Sequence, residues 1–524
     1  AMKNRERFDV IIAGTGIAGL TCAIQCREAG LNVAVVTKQD RVEETNTNYA
    51  QGGIIARKDG DTAESLARDI LEAGCHYNGA EAVETFSREA PSLVFDFLID
   101  RAKVDFSRNA AGAYDYTEEA AHSERRILHF EDHTGDAIQK ALITKACDCG
   151  VKVHTAHTAI DLITNAHHSN DPGERYLPRE ALGLYVLNNA SGEVLTLFAD
   201  VVVLATGGIG NIFQFTTNPP AATGDGVSMA YRAGADIVNA EFMQFHPTAL
   251  FHKDIKRFLI SESLRGEGAK LVDKKGRPFM RKYSAQEELA PRDVVTRAIY
   301  EEMVLQGSEY MLLDLANHYH GERPIRERFS RIYETCLSGG IDITKDPIPI
   351  VPAAHYFCGG IRVDTNGRAS LGRLYAVGEV SCTGLHGANR LASTSLLEGL
   401  LWGKRAADDI LANRVEASQT RLDCIPDWKA PKGAERFELA LIYQDWKMIK
   451  LTMWNHAGII RTRKGLERAE ADLNYHAHRI TRFYHEAVLD RDIIELRNGV
   501  ITAQLVVSAA IHAERSVGCH FRKN

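Results

Sequence analysis

Cysteine is sparse: ten residues are scattered through 524, and the closest pairs, Cys22/Cys26 and Cys147/Cys149, have neither zinc nor redox spacing. No run has iron–sulfur spacing either. No metal is expected, and the thiols read as reduced side chains in core positions of a cytoplasmic protein. Long apolar runs are also missing. Val201–Ala205 falls far short of the ~18 residues that a membrane-spanning helix needs, so no membrane partner is expected. The charged start (Lys3, Arg5, Glu6, Arg7) turns directly into a strand-like run, which argues against a signal peptide, and Ala1 before Met2 reads as a cloning remnant. Charge of one sign is not in excess: 62 Lys+Arg stand against 69 Asp+Glu, a net −7. A globally basic nucleic-acid binder is thereby excluded. What is present is an ordinary globular mix, 45% hydrophobic and 25% charged. The length suggests roughly three domains, with several cores that need no disulfide or metal.

Chemistry begins at the N-terminus. The apolar run Phe8–Ala13 flows into Gly14-Thr15-Gly16-Ile17-Ala18-Gly19. A helical pattern (Leu20, Ala23, Ile24, Arg27) then runs to Gly30, and the β-branched run Val33–Thr37 follows. This is a strand–turn–helix–strand unit. Gly14 permits the tight turn, Gly16 lets a pyrophosphate approach the backbone, and Gly19 lets the helix lie close to the sheet. The helix N-terminus favours phosphate charge. The acidic residue that normally ends the second strand is replaced by Thr37 and Lys38. A hydroxyl can still bond a ribose, but the NAD fingerprint does not fit, which points to FAD held differently.

Further strand–glycine breaks follow. Residues Asn46–Ile55 read as a loop whose Gly52-Gly53 can approach a flat cofactor closely. Val201–Leu204 ends in Ala205-Thr206-Gly207-Gly208, and Leu374–Val377 ends in Gly378-Glu379. Ligands of open α/β sheets lie beyond the carboxyl ends of the strands. The breaks at Gly14, Gly207 and Gly378 are therefore expected to converge, with Glu379 a natural ribose partner. Between Glu241 and Ala353 the glycine-strand pattern stops and His, Arg, Glu and Pro become frequent, as in an inserted domain. Pro426, Pro431 and Gly433 mark a linker, and helical periodicity (Leu439, Ile442, Trp446, Ile449; Leu466 to Val488; Ile493 to Ile511) runs to the end. Thr164–Arg179 reads as an exposed loop.

Four segments suit anions: Gln244–Thr248, Ser261–Gly268, Ala290–Asp293, and His355 together with Gly384–Arg390. Each has a plain alternative. His246 before Pro247 fits a turn, Arg265 between glutamates fits a surface ion pair, and Arg390 fits a solvent contact. Their placement around the insert and beside the cofactor strands favours a small dicarboxylate, which needs cations at both ends. Ser393-Thr394-Ser395 is a helix N-cap sequence, and that helix start could also stabilise negative charge on a flavin.

These blocks, with Tyr49–Gly53, His122–His129, Leu289–Asp293 and Val351–Tyr356, resemble the L-aspartate oxidases of the succinate dehydrogenase and fumarate reductase flavoprotein superfamily, over essentially the whole chain. The resemblance implies an α/β FAD-binding Rossmann-like domain (1–240 and 354–420), an inserted α+β capping domain (241–353) and a C-terminal helical bundle (431–524). It places FAD on Gly14, Gly16, Ile17, Ala18, Gly19, Thr37, Lys38, Asn46, Ala50, Gln51, Gly52, Gly53, Ala205, Thr206, Gly207, Gly208, Asp225, Glu379, Ser393, Ser395 and Leu396. Substrate carboxylates fall to His246, Ser261 (Thr in many members), His355 and Arg390, and the catalytic acid/base to Arg292. Glu262 and Arg265 match the proton relay of the fumarate-reducing relatives. Asn46 stands at the offset where membrane-bound dehydrogenases carry a histidine linked to FAD, so FAD is expected to be noncovalent. Glu119 matches the position facing a substrate amino group. Ala120-Ala121 replace the family's usual glycines, which bears on substrate affinity.

The resemblance thus implies oxidation of L-aspartate to iminoaspartate, with oxygen or fumarate as acceptor and quinolinate synthase downstream in NAD biosynthesis. A soluble fumarate reductase or succinate dehydrogenase flavoprotein is the nearest alternative. A flavin subunit docked on a membrane complex and a flavin-dependent RNA-modifying enzyme fit less well.

Overall fold

The computed structural model describes residues 4–119, 121–131, 133–436 and 438–523. Ala120, one of the two alanines beside Glu119, lies outside them, as do residues 1–3. The first strand–helix–strand unit forms where the sequence places it. Arg5–Ala13 and Val33–Val36 run parallel with Ala13 opposite Val36, joined by the helix Ile17–Glu28. They sit in a seven-stranded sheet of order 152–154, 33–36, 5–13, 194–204, 181–188, 157–164, with 374–376 pairing 194–204 as a branch. The pairs among 152–154, 33–36, 5–13, 194–204 and 374–376 are parallel, and those of 181–188 antiparallel.

Both faces of the sheet's centre are covered, so Val10–Ala13, Val33–Val36 and Val201–Leu204 are apolar throughout rather than alternating with polar residues. Their alternation shows in which core each residue joins. Val10, Ile12, Val33, Val35, Val201 and Val203 face one apolar cluster with the helices Ile17–Glu28 and Ser395–Asn413. Ile11, Ala13, Ala34, Val36, Val202 and Leu204 face the other. That second cluster continues through Ile348 and Met311 to Ile449, Leu473 and Val506, so the C-terminal helices share one core with the sheet.

Between residues 243 and 357 lies an antiparallel sheet of order 243–250, 348–357, 311–314, 270–272, with helices such as Arg292–Gln306 around it. The strand Ile348–Phe357 runs straight through the 353/354 boundary drawn from composition. The three expected C-terminal helices are Leu439–His456, Arg463–Glu486 and Arg491–His512.

Several local expectations need correction. Arg491–His512 is long and apolar enough to cross a membrane by length and composition, a feature hidden by its interspersed polar residues; 61% of its apolar window is buried inside the protein. Thr164–Arg179 is not simply an exposed loop. It contains the helix Asn165–His168, and the buried Asn165 donates to the carbonyls of Glu174 and Pro178, folding the segment on itself. Residues 46–49 form a helical turn capped by Thr45, and Ile54–Ile55 form a strand. Not all thiols are core side chains: Cys75 and Cys147 are exposed, and Cys149, Cys424 and Cys519 half-buried.

Candidate active site

Carboxyl ends of the parallel strands open into one cavity of about 620 Å³. The strand–glycine breaks do converge there: Gly14, Gly207 and Gly378 all line it. So do Gly16, Ile17, Ala18, Thr37, Lys38, Asn46, Ala50, Gln51, Gly52, Gly53, Ala205, Thr206, Gly208, Asp225, Glu379, Ser393, Ser395 and Leu396. The same wall carries Glu119, His246, Arg292, His355 and Arg390. Gly19, Ser261, Glu262 and Arg265 are not part of it.

The glycine turn is built for close approach. Gly14 has φ +116°, and a Cβ there would lie 2.0 Å from the Ala205 carbonyl oxygen. A Cβ on Gly19 would meet the Gly14 carbonyl at 2.3 Å, so the third glycine serves helix–strand contact rather than the cavity. Gly16 caps the helix without a side chain. Thr206 Oγ1 is buried beside the cavity and has no hydrogen-bond partner among the described residues. Half-buried Glu379 accepts from the Phe357 backbone N–H (2.9 Å) and from Asn46 Nδ2 (3.1 Å). Burial nevertheless pushes its carboxyl up to about 7, outweighing those donors and Arg390. Glycines that admit a dinucleotide backbone, an unpartnered hydroxyl and a carboxylate with acceptor sites left for a ribose hydroxyl make a set that fits FAD. Lys38, on the cavity wall, also has a structural part. Its ammonium bonds Asp225 at 2.6 Å and Glu495 at 2.7 Å, tying the second strand to the helix Arg491–His512.

The Ser393–Ser395 cap reading needs correction. Thr394 is the N-cap, but no side chain caps the helix. The Thr394 hydroxyl donates to the Leu391 carbonyl, and Ser393 Oγ donates to Glu119 Oε2 at 2.8 Å. Among the described residues no side chain caps the helix-start amides, which suits a role toward negative charge.

The substrate end is strongly polar. His246 is not in a turn: it lies in the strand Met243–Leu250, at a bulge that accommodates Pro247. His246 Nδ1 accepts from the Thr248 N–H (3.2 Å), so the neutral ring carries its proton on Nε2. His355 shares a 2.8 Å bond with Thr217 Oγ1, and the two imidazoles lie 5.4 Å apart. Burial first, then the nearby guanidinium groups, hold both rings far below the ordinary histidine range, so both are neutral at pH 7. Arg390 is neither surface nor solvent-facing: it is 7% exposed, and its Nε has no hydrogen-bond partner among the described residues.

Arg265 is likewise buried rather than a surface ion pair. Its Nη1 donates to the Glu288 carbonyl (2.7 Å), and Nη2 stands 3.7 Å from Glu262 Oε1. Glu262 Oε2 in turn accepts from Arg292 Nε at 2.6 Å. Arginine 265, glutamate 262 and arginine 292 therefore form a chain ending at the cavity. Burial alone would raise Glu262, but Arg292 and Arg265 outweigh it and hold it ionised. Burial would lower Arg292, but Glu262 and Glu119 outweigh it and keep the guanidinium charged. Ser261 departs from the expected cluster: its Oγ accepts from the Ser263 N–H and hydroxyl, outside the cavity wall.

The Glu119 loop is held from below. His122 Nε2 donates to the Ala392 carbonyl (3.0 Å), and fully buried Arg126 bonds Asp61 and Asp69. Ala121 has φ +66°, a backbone state that glycine adopts more cheaply by about 1 kcal/mol. Sequence reasoning missed Thr217 and Asn218, which hold the His355 side chain and carbonyl, because Thr217–Pro220 carries no motif beyond its position.

Comparison with known proteins gives this geometry its relatives. The FAD binding domain family matches residues 9–396, and the fumarate reductase flavoprotein C-terminal family matches residues 446–524. The chain is 43% identical to an L-aspartate oxidase of Yersinia pestis over 98% of this chain and 95% of that one. It is 38% identical to a chloroplastic L-aspartate oxidase of Arabidopsis thaliana, covering 99% and 81%. Among solved structures it is similar to an E. coli quinol fumarate reductase FrdA variant (TM-score 0.86, 27% identity, 99% and 92% covered). Mycobacterium smegmatis Sdh1 in complex with UQ1 is also similar (TM-score 0.82, 29%, 99% and 89%). With a glycine-lined FAD cradle opening on arginines and histidines, and such relatives over 98–99% of its length, the chain belongs to the L-aspartate oxidase family of the succinate dehydrogenase and fumarate reductase flavoproteins.

Proposed function

We propose that this cavity oxidises L-aspartate to iminoaspartate. The observation that carries the reading is the meeting, in one wall, of a carboxylate (Glu119), a buried and a half-buried guanidinium group (Arg390, Arg292) and two neutral imidazoles (His246, His355) beside the FAD cradle. FAD, when bound, would supply the two-electron redox chemistry, with oxygen or fumarate as the acceptor. Arg390, His355 and His246 hold the two carboxylates, with imidazole N–H donors and a guanidinium in a site shielded from water. Glu119 pairs with the substrate ammonium, a counter-charge that succinate does not need. The fixed cations orient the Cα–H toward the cradle.

Arg292, on the cavity wall, is the residue we assign as proton donor to fumarate. Its guanidinium is a weak acid, so donation requires immediate replacement of the proton through Glu262, itself backed by Arg265. Asn46 offers an amide rather than an imidazole toward the cradle, which supports noncovalent FAD. Consumption of iminoaspartate by a quinolinate synthase, in the cytoplasm, belongs to the same reading.

A dicarboxylate reductase would not need Glu119. Anaerobic mixing with L-aspartate, D-aspartate, L-glutamate and succinate should bleach the flavin rapidly with L-aspartate alone. Glu119→Gln should raise the L-aspartate KM about 30-fold, the cost of an unpaired buried charge near 2 kcal/mol, and leave succinate inhibition unchanged. Rapid bleaching by succinate, or equal losses for both ligands, would overturn the assignment.

A further inference from the structure

Gln244 is 4% exposed and lies outside the cavity wall, yet its side chain grips Arg390 twice. Oε1 accepts from Arg390 Nη2 (3.1 Å), and Nε2 donates to the Arg390 carbonyl (2.9 Å) and to Asn389 Oδ1 (2.7 Å). The other restraints on the guanidinium are weaker: a 3.4 Å bond from Nη1 to the Leu391 carbonyl, and the Tyr356 ring with its centroid 4.6 Å from Cζ. Asn389 is itself held, its Oδ1 accepting from Cys519 Sγ (3.2 Å) while the Cys519 N–H bonds the Ala388 carbonyl (2.9 Å).

We propose that Gln244 is the positioning residue of Arg390, clamping its guanidinium and its backbone with one amide so that the remaining N–H groups face the substrate carboxylate. The amide chemistry matters. A carboxylate at 244 would also accept from Nη2, but it would pair with the guanidinium and cancel the charge the substrate needs. It would also set a negative oxygen against the Arg390 and Asn389 oxygens that now receive N–H donors. Glutamine orients the cation and leaves it charged. Gln244 precedes His246 by two residues on the same strand, so one strand supplies a substrate imidazole and, behind it, the brace for the arginine.

This inference rests on the reading of Arg390 as a substrate-carboxylate ligand, and the test separates the two. In FAD-loaded protein, succinate Kd is read from flavin absorbance, with KM and kcat for L-aspartate alongside, for Gln244→Met, Gln244→Glu, Arg390→Lys and Gln244→Met/Arg390→Lys. Gln244→Met should raise succinate Kd and aspartate KM about tenfold with kcat changed less than about threefold. The isosteric Gln244→Glu should weaken both at least as much, and it keeps the test open if the Met variant fails to fold. In the Arg390→Lys background the Gln244→Met effect should shrink to under about twofold, because the residue it positions is gone. If Arg390→Lys weakens succinate but both Gln244 variants bind normally, or if the two losses multiply in full, the positioning role is wrong and the Arg390 reading stands. If Arg390→Lys itself changes nothing, the Arg390 reading falls and takes the inference with it.

Discussion

Glu379 is the residue whose environment speaks most directly about the cofactor. Burial lifts its carboxyl to about 7, while an unfolded glutamate sits near 4.5. Between those values the folded protein retains a proton that the unfolded chain has lost, so apoprotein stability falls as pH rises across that window and levels above it. If Glu379 takes a hydroxyl donor from FAD, the ionised form is favoured and binding releases the proton. FAD affinity should therefore tighten with rising pH, by up to roughly tenfold per unit below the folded pKa and little above it. Quenching of flavin fluorescence on titration into apoprotein measures this. Glu379→Gln should bind more weakly with a flat pH profile, and an unchanged slope would assign the proton to another group.

At the level of elements, the helices Ile17–Glu28 and Ser395–Asn413 pack closely under the cradle. Two glycines set this contact, and they are not equivalent. A Cβ on Gly403 would sit 2.5 Å from the Ala18 carbonyl oxygen, a backbone atom that cannot yield without parting the helices. A Cβ on Gly399 would meet Ile17 Cγ2 at 2.9 Å, a side-chain end that can turn aside. Gly403→Ala should cost about 1–3 kcal/mol from overpacking, against roughly 1 kcal/mol regained in helix propensity. Because Ala18 lines the cavity, the variant should also lose FAD more readily. Gly399→Ala should be milder on both counts, and scanning calorimetry with flavin content would show whether that order holds.

Across the whole molecule, buried Arg461 ties the C-terminal helices to the substrate region. Its Nη1 donates to the Glu241 carbonyl (2.8 Å) and to His520 Nδ1 (2.6 Å), and Nε to the carbonyls of Ala457 and Gly458. None of those partners is a carboxylate, and burial brings the guanidinium down to about 10. The Phe521 ring, further along the same tail, lies against Arg297 on the Arg292 helix, with its centroid 4.8 Å from Cζ. Arg461→Met would strand several buried carbonyls and free the tail, at about 3 kcal/mol of stability. Urea unfolding should register that loss together with a raised KM for L-aspartate; a normal KM at reduced stability would show that the tail does not brace the site.

The order of elements was legible in the sequence because it depends on local signals. Glycine breaks after apolar strands, the residues flanking Gly14–Gly19 and the helical periodicity beyond Leu439 are set by neighbours a few positions apart. The clustering of arginines and histidines around the insert was also legible and favoured a charged diacid, while the place of Glu119 came from the family resemblance. Tertiary structure decided burial and pairing, which depend on residues hundreds of positions away. The chain alone left Arg265 and Arg390 divided between surface and site, kept Ser261 among the substrate ligands and counted Lys38 among the FAD residues. Packing buried the arginines, turned Ser261 toward Ser263 and paired Lys38 with Asp225 and Glu495. It also brought Gln244 against Arg390, 146 positions apart, a contact that no local pattern encodes.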